Sequence, residues 1–403
     1  MNKLIVLLVI VLGAIAIAQL MRVYDLISKV RNRREEVIPD RDNRLNATFL
    51  LLFMIGFFVS ILYLFVEYGY TGRGDAASVH GVETDWLLNF KFAVIIGVFF
   101  LTNFLLFWFS YKYVRKPGVK AFYYPHNNKL ELLWTGVPAF TLAIFVILGI
   151  KLWHEQTGPA SDEAIRVELF AKQFDWTVRL SGDDNTLGNF DYKLTNDNNP
   201  LALVTSKSIQ NAIDSMENGA SGVKALTAKL SNPKTVFSQE DEDLLRRDLN
   251  TKEHLLRLVY QMQAKHKKEI DAAALDDIVF NASDTLFMCV DQDYEFNFRS
   301  KDIIHSAYFP NFRAQMNVLP GQTTRFKFTP SVTTKEMRKR RNNPQYNYAL
   351  MCNKICGSSH YKMKLLIVVL DKEEYAKWYK KVSQLDPANP DNCRTFKRVY
   401  PVL

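Results

Sequence analysis

Hydrophobic positions fall into two regimes along this chain. Long unbroken apolar runs fill the first 150 residues, at 4–20, 47–66, 92–111 and 132–150. A helix that spans a bilayer needs about 20 largely apolar residues, and the last three runs meet that. Pro138 inside the fourth is tolerated in lipid, where neighbouring groups re-satisfy the freed carbonyl. The first run is shorter. It begins behind Lys3 and ends in the small residues Ala16-Ile17-Ala18, a pattern that also fits a secretory signal.

Beyond residue 160 the pattern changes to short alternating runs. Residues 164–180 read as two strands, and 286–298, 323–329, 345–351 and 362–370 as further strands, with Pro310, Pro320-Gly321 and Pro330 as turns. Several short strands with turn signals imply a β-sandwich or barrel. Residues 205–275 break the series: Leu244, Leu245, Leu255, Leu258, Val259 and Met262 recur at helical spacing in a charged background. The plain expectation is an inserted helical hairpin with one solvated face; the sharper one is a partner-binding surface. The expected organisation is therefore an extra two-helix region at 1–70 and a transmembrane hairpin at 71–155. A β domain at 156–372 carries the insert, and a tail covers 373–403.

Charge adds orientation. The formal net charge is +9, and mean hydropathy is near neutral at −0.11. Much of the positive charge lies at 22–44 and 112–130, beside apolar runs, where it reports membrane orientation rather than nucleic acid. The 112–130 loop holds Lys112, Arg115, Lys116, Lys120 and Lys129 and no acid, so it belongs inside. The 67–91 loop holds Glu67, Asp75, Glu83 and Asp85 against Arg73 and Lys91, so it belongs outside. Basic residues from Arg22 to Arg44 also belong inside, which favours a retained first helix over a cleaved signal. The fourth helix then delivers everything after about Trp153 to the outer face, with lipid around the helices.

Four cysteines, Cys289, Cys352, Cys356 and Cys393, are too few for a disulfide scaffold. Cys289 and Cys393 read as a buried and a tail thiol, or as a pair in an oxidising compartment. Cys352 and Cys356 stand in Cys352-Asn-Lys-Ile-Cys356-Gly-Ser-Ser-His360-Tyr-Lys-Met363, between two expected strands. Two thiolates, an imidazole and a thioether in twelve residues form a soft donor set suited to copper. Zinc rarely takes a thioether, and its knuckles are usually C-x2-C. His305, expected at the end of an earlier strand, is the best candidate for a second imidazole. One upstream histidine and a late ligand loop resemble the copper site of a cupredoxin sandwich. The fold class is thus multi-domain: transmembrane helices followed by an all-β cupredoxin-like sandwich with a helical insertion.

These residues bring a family into view. The chain resembles subunit 2 of cytochrome c oxidase over about residues 90–180 and 280–372. Cys352, Cys356, Gly357, His360 and Met363 keep the frame of the family's C-x-E-x-C-G-x-x-H-x-x-M motif, and Asp302, His305 and Ser306 match its D-x-x-H-S motif. The resemblance implies a pair of copper ions held by His305, Cys352, Cys356, His360, Met363 and the backbone carbonyl of Lys354. It further implies electron entry from cytochrome c, or from a cytochrome-bearing donor complex, and delivery to haem in subunit 1. Oxygen reduction and proton pumping then lie outside this chain, which has no catalytic residue of its own for oxygen. Other oxidase subunits are implied as partners, in a bacterial inner membrane with the copper domain on the periplasmic side.

Three positions modify that picture. Lys354 stands where the family usually has a glutamate that helps to hold magnesium; an ammonium cannot ligate that hard cation, so a magnesium ligand from this chain is doubtful. The family's Gln-Trp-x-Trp run, associated with donor docking, reads Gln173-Phe174-Asp175-Trp176, which makes Phe174 and Trp176 the electron-entry candidates. Glu131, three residues before Trp134, matches a glutamate at the mouth of a proton pathway; as a helix-terminal carboxylate it is also favoured by the macrodipole. Rival readings are a nitric oxide reductase subunit with the same copper site and a membrane-anchored copper carrier. A quinol oxidase subunit would lack the ligands, and a nitrous oxide reductase would need a further domain.

Overall fold

The structure is a computed structural model, and it describes residues 2–30, 39–69, 73–281 and 285–383. The chain forms two compact units, residues 1–73 with 90–140 and residues 74–89 with 141–403.

The first unit is helical. It contains α1 (Asn2–Val30), α2 (Asp40–Tyr68), most of α3 (Val79–Lys112) and the start of α4 (Asn128–Thr157). All four helices are long and apolar enough to cross a membrane. Each helix runs past its apolar stretch into polar flanks, because helical hydrogen bonding does not stop where hydropathy does. Asp40 and Asp42 in the first turn of α2 favour that extension by facing the positive end of the helix dipole. Aromatic contacts join α2 to α3: Phe58 meets Phe100 edge-on at 4.8 Å, and Phe57 and Phe53 lie 6.0 and 5.6 Å from Phe99 and Phe107.

The second unit is a β-sandwich with helical additions. After the end of α4 come β1 (Ile165–Lys172) and β2 (Asp175–Leu180). An excursion then carries α5 (Ser206–Asn218), α6 (Val223–Leu230), α7 (Gln239–Lys265) and α8 (Ala272–Leu275). The strands resume as β3 (Ile278–Asn281), β4 (Thr285–Cys289), β5 (Tyr294–Ser300), β6 (His305–Phe309), β7 (Ala314–Val318) and β8 (Thr324–Phe328). The fold closes with α9 (Thr334–Arg340), β9 (Tyr348–Cys352), β10 (Lys364–Leu370) and α10 (Lys372–Ser383).

One sheet has the order β3-β2-β1-β5-β8 and the other β4-β10-β9-β6-β7. The β1–β5 and β4–β10 pairs are parallel, and the other pairs antiparallel. Alternate residues of both sheets meet in one core that includes Val167, Leu169, Trp176, Phe296, Phe309, Leu350 and Ile367. Ring contacts cross between the sheets, with Phe296 to Phe309 at 5.2 Å and Phe312 to Phe328 at 4.8 Å. Residues 77–79 add main-chain bonds to this body. Ala77 N donates to Asn311 O, Ser331 N to Ala77 O and Val79 N to Thr329 O. Arg313 Nε donates to Asp85 Oδ1 at 2.9 Å, which fastens the first turns of α3 to the sandwich.

Three expectations change. The single run at 286–298 is two strands of different sheets, separated by a turn in which Asp291 takes φ 57°. His305 opens β6 rather than ending an earlier strand, because β5 stops at Ser300 and the chain crosses to the other sheet. The insert is more than a hairpin. The chain leaves β2 at Leu180 and returns at Ile278, and three helices of eight residues or more lie between. Gly219 and Gly222 end α5 and start α6, a Thr205–Ser208 capping box begins α5, and Ser238 caps α7. Val259 packs with Leu194, Ile209, Ala212 and Ile213, whereas Leu244 is 55% exposed.

A buried ionic cluster ties the insert to the sheet. Glu168 of β1 accepts from Arg179 Nε at 2.5 Å and from Arg299 Nε. Arg179 Nη1 also donates to Asp277 Oδ2 at 2.7 Å and to Gly188 O at 2.8 Å. Burial opposes ionisation of Glu168, but the two guanidinium groups outweigh it and hold the carboxyl below its usual range. Asp277 goes the other way: burial pushes it up to about 6 despite Arg179. Its second oxygen, Oδ1, has no hydrogen-bond partner among the described residues. Cys289 is a free thiol at the end of β4, and Cys393 lies outside the described residues, as does the tail from 384.

Candidate metal centre

The loop 353–363 joins β9 to β10 at one end of the second sheet. Cys352 is the last residue of β9, and its N–H donates to Met363 O at 3.0 Å, which closes the loop at its base. β6 lies beside β9 through the Ala307–Cys352 pairing, so His305 at the start of β6 reaches the same end. Topology thus unites residues 47 positions apart in sequence.

All six expected donors converge. Cys352 Sγ lies 3.9 Å from Cys356 Sγ and 3.9 Å from His305 Nδ1. Cys356 Sγ lies 3.4 Å from His360 Nδ1 and 3.8 Å from Met363 Sδ. The carbonyl of Lys354 is 3.2 Å from Cys352 Sγ. His305 is wholly buried, Cys356 and Met363 are 2% exposed, and the Lys354 side chain is exposed. The sulfur pair is far outside the S–S bond length of about 2.05 Å. It is close enough for both atoms to bind one ion at roughly 2.3 Å.

Electrostatics at the pair favours a cation. Burial opposes ionisation of Cys352, but hydrogen bonds from His305 and the main chain at Ser306 bring it down to about 6. Burial pushes Cys356 up to about 11, and the Cys352 charge beside it adds to that. Two adjacent buried thiolates cannot coexist without positive charge between them. The donor set and this charge conflict both fit a soft metal ion.

The surrounding shell fixes the ligands. Asp302 Oδ1 lies 2.9 Å from His305 Nε2, which leaves Nδ1 as the free lone pair facing the thiols. Gln173 N donates to Asp302 Oδ2 at 2.7 Å, and Gln173 Nε2 donates to Cys356 O at 2.6 Å. Trp176 has no exposed surface and stands edge-on to His305 with centroids 6.3 Å apart. Trp176, one of the electron-entry candidates, thus packs behind His305, while Phe174 in the β1–β2 turn is only partly buried. Phe174 closes on the ligand loop at Gly357, where φ is 137° and an added Cβ would meet the ring at 2.7 Å. Glu131 is in the first turn of α4, half exposed and 4.0 Å from His126 Nδ1. Asp302 and Gln173 thus act behind the candidate ligands, within motifs whose other residues carry the donors. The signal for Asp302 was its place three residues before a ligand histidine; nothing local marked Gln173.

The fold and this donor set define a β-sandwich protein with helices of membrane-spanning length and a soft-donor loop that could hold a metal ion. Residues 67–152 match the family model described as cytochrome c oxidase subunit II, transmembrane domain. The chain is 23% identical over 296 residues to the alternative cytochrome c oxidase subunit 2 of Bradyrhizobium diazoefficiens, covering 73% of this chain and 76% of that one. It is 20% identical over 331 residues to cytochrome c oxidase subunit 2 of Cereibacter sphaeroides, covering 80% and 86%. Among solved structures, the periplasmic domain of cytochrome oxidase subunit II of Bradyrhizobium japonicum aligns at 15% identity and a TM-score of 0.27, over 56% of this chain and 96% of that one. The chain is thus similar to cytochrome c oxidase subunit 2 proteins, in its membrane segment by the family model and over most of its length by these relatives. Its four helices of spanning length fit a membrane protein.

Proposed function

We propose that this chain is the electron-entry subunit of a respiratory cytochrome c oxidase, and that two copper ions share Cys352 and Cys356. The observation that carries this is the convergence of six donors on two sulfurs 3.9 Å apart. His305, His360, Met363 and the Lys354 carbonyl would hold the ions together with the two thiolates. The copper pair would accept single electrons from cytochrome c and release them to haem in subunit 1, where oxygen is reduced and protons are pumped.

This chain's residues supply the setting. Asp302 keeps His305 Nδ1 turned toward the sulfurs, and burial of His305, Cys356 and Met363 excludes water. Phe174 is the aromatic left at the donor-facing turn. Glu131 stands at the cytoplasmic start of α4 as a proton-path carboxylate. The lysine at 354 contributes its carbonyl and offers no carboxylate for magnesium.

The test is Cys352→Ser in the assembled oxidase. Near-infrared copper absorption should vanish and electron entry from cytochrome c should stop. An unchanged spectrum with full copper content would refute the reading.

A further inference from the structure

We propose that Gln173 is a positioning residue for the copper pair, clamping the two ligand-bearing segments to the donor-facing turn; the proposal rests on the copper reading above. Gln173 sits in the two-residue turn between β1 and β2, whose last paired residues are Lys172 and Asp175. That turn belongs to the first sheet, whereas every ligand belongs to the second or its loops. Nothing in the strand pairing therefore fixes the turn against the ligands. Gln173 supplies the link at both ends.

Its main-chain N–H donates to Asp302 Oδ2 at 2.7 Å, while Asp302 Oδ1 holds His305 Nε2 at 2.9 Å. Its side-chain amide donates to the carbonyl of Cys356 at 2.6 Å. The orientation of that amide is fixed by chemistry, since a carbonyl can only accept. Gly357 completes the contact. A side chain there would collide with Phe174 at 2.7 Å and with Gln173 Nε2 at 3.1 Å, so the glycine admits the turn onto the ligand loop. One residue thus touches the carboxylate that orients a ligand imidazole and the peptide group of a ligand thiolate.

Outer-shell hydrogen bonds tune a metal centre as well as holding it. A donor on the Cys356 carbonyl withdraws electron density from that residue and favours the reduced state. Losing it lowers the reduction potential. The main-chain arm survives any side-chain change, so His305 stays oriented and copper is retained.

The experiment is Gln173→Leu in the intact, copper-loaded oxidase, with soluble cytochrome c as the donor. Copper content and the near-infrared band should match wild type, and the KM for cytochrome c should be unchanged. The reduced-to-oxidised equilibrium should fall by up to tenfold, a shift of roughly 59 mV for one electron. Gln173→Met, which keeps the unbranched length and removes the amide, should do the same and serves where the leucine variant does not assemble. An unmoved potential with a raised KM makes Gln173 a docking residue and overturns the proposal, as does failure of both variants to assemble. A wild-type complex without the two-copper band fails the copper reading instead.

Discussion

Asp302 Oδ1 stands 2.9 Å from His305 Nε2, and Nδ1 of the same ring stands 3.9 Å from Cys352 Sγ. The carboxylate selects the tautomer, raises the basicity of the imidazole and fixes its plane. Removing it leaves the ring free to turn. Asp302→Ala is therefore expected to weaken copper binding by about 10–100-fold without unfolding the sandwich, because Asp302 lies outside the core. Competition with a chelator of known affinity measures this, and wild-type affinity in the variant would contradict it.

Glu131, proposed above as a proton-path carboxylate, is distant in sequence from every proposed copper donor. Glu131→Ala should slow proton-coupled turnover and leave copper content and the near-infrared band intact. Turnover measured in proteoliposomes checks both halves. Equal loss of copper would show that the substitution disturbs assembly rather than proton uptake.

The ionic cluster under the insert predicts a stability effect. Arg179 is 2% exposed and bridges Glu168 and Asp277. Arg179→Ala strands Asp277 and leaves Glu168 with Arg299 alone, and breaking such a buried pair costs about 3–5 kcal/mol. The unfolding midpoint in urea should fall accordingly, and a change within 1 kcal/mol, typical only of exposed pairs, would rule out the cluster as a structural tie.

Asp277 gives that cluster a pH dependence. Burial raises its folded-state carboxyl to about 6, above its ordinary 3.8. The sign follows: the neutral acid is favoured in the fold, so its contribution is full below pH 3.8 and is lost as pH rises through about 6. Glu168, lowered by its two arginines, contributes in the opposite sense and loses its share in acid. Asp277→Asn should gain stability relative to wild type between pH 4 and pH 7, an interval of about three units around the shifted value. Urea midpoints at both ends test this; a constant difference between the two proteins would dispose of it.

The residues themselves carried much of this. Apolar runs of spanning length announced α2, α3 and α4, because a bilayer imposes a length on any helix that crosses it. Alternation announced β8 and β10, since those strands bury one face, whereas β1 and β2 are buried along almost their whole length. The ligand loop was legible as chemistry, because soft donors at short spacing have few other uses. What stayed hidden was non-local. β6 has no marked alternation of its own and is held in place by β7 and β9. That Trp176 is enclosed between the sheets, edge-on to His305, follows from how they pack. Gln173 reaches Asp302 and Cys356 across 129 and 183 residues.

The sequence by itself determined the membrane segments and singled out the soft donors of the 352–363 loop, because each depends on residue type within a short window. Only the tertiary structure decided that His305 starts a strand, that Trp176 is buried behind it and that a turn of the other sheet grips the ligand loop. Those facts depend on which strands lie side by side, and that is settled by packing two sheets around one core.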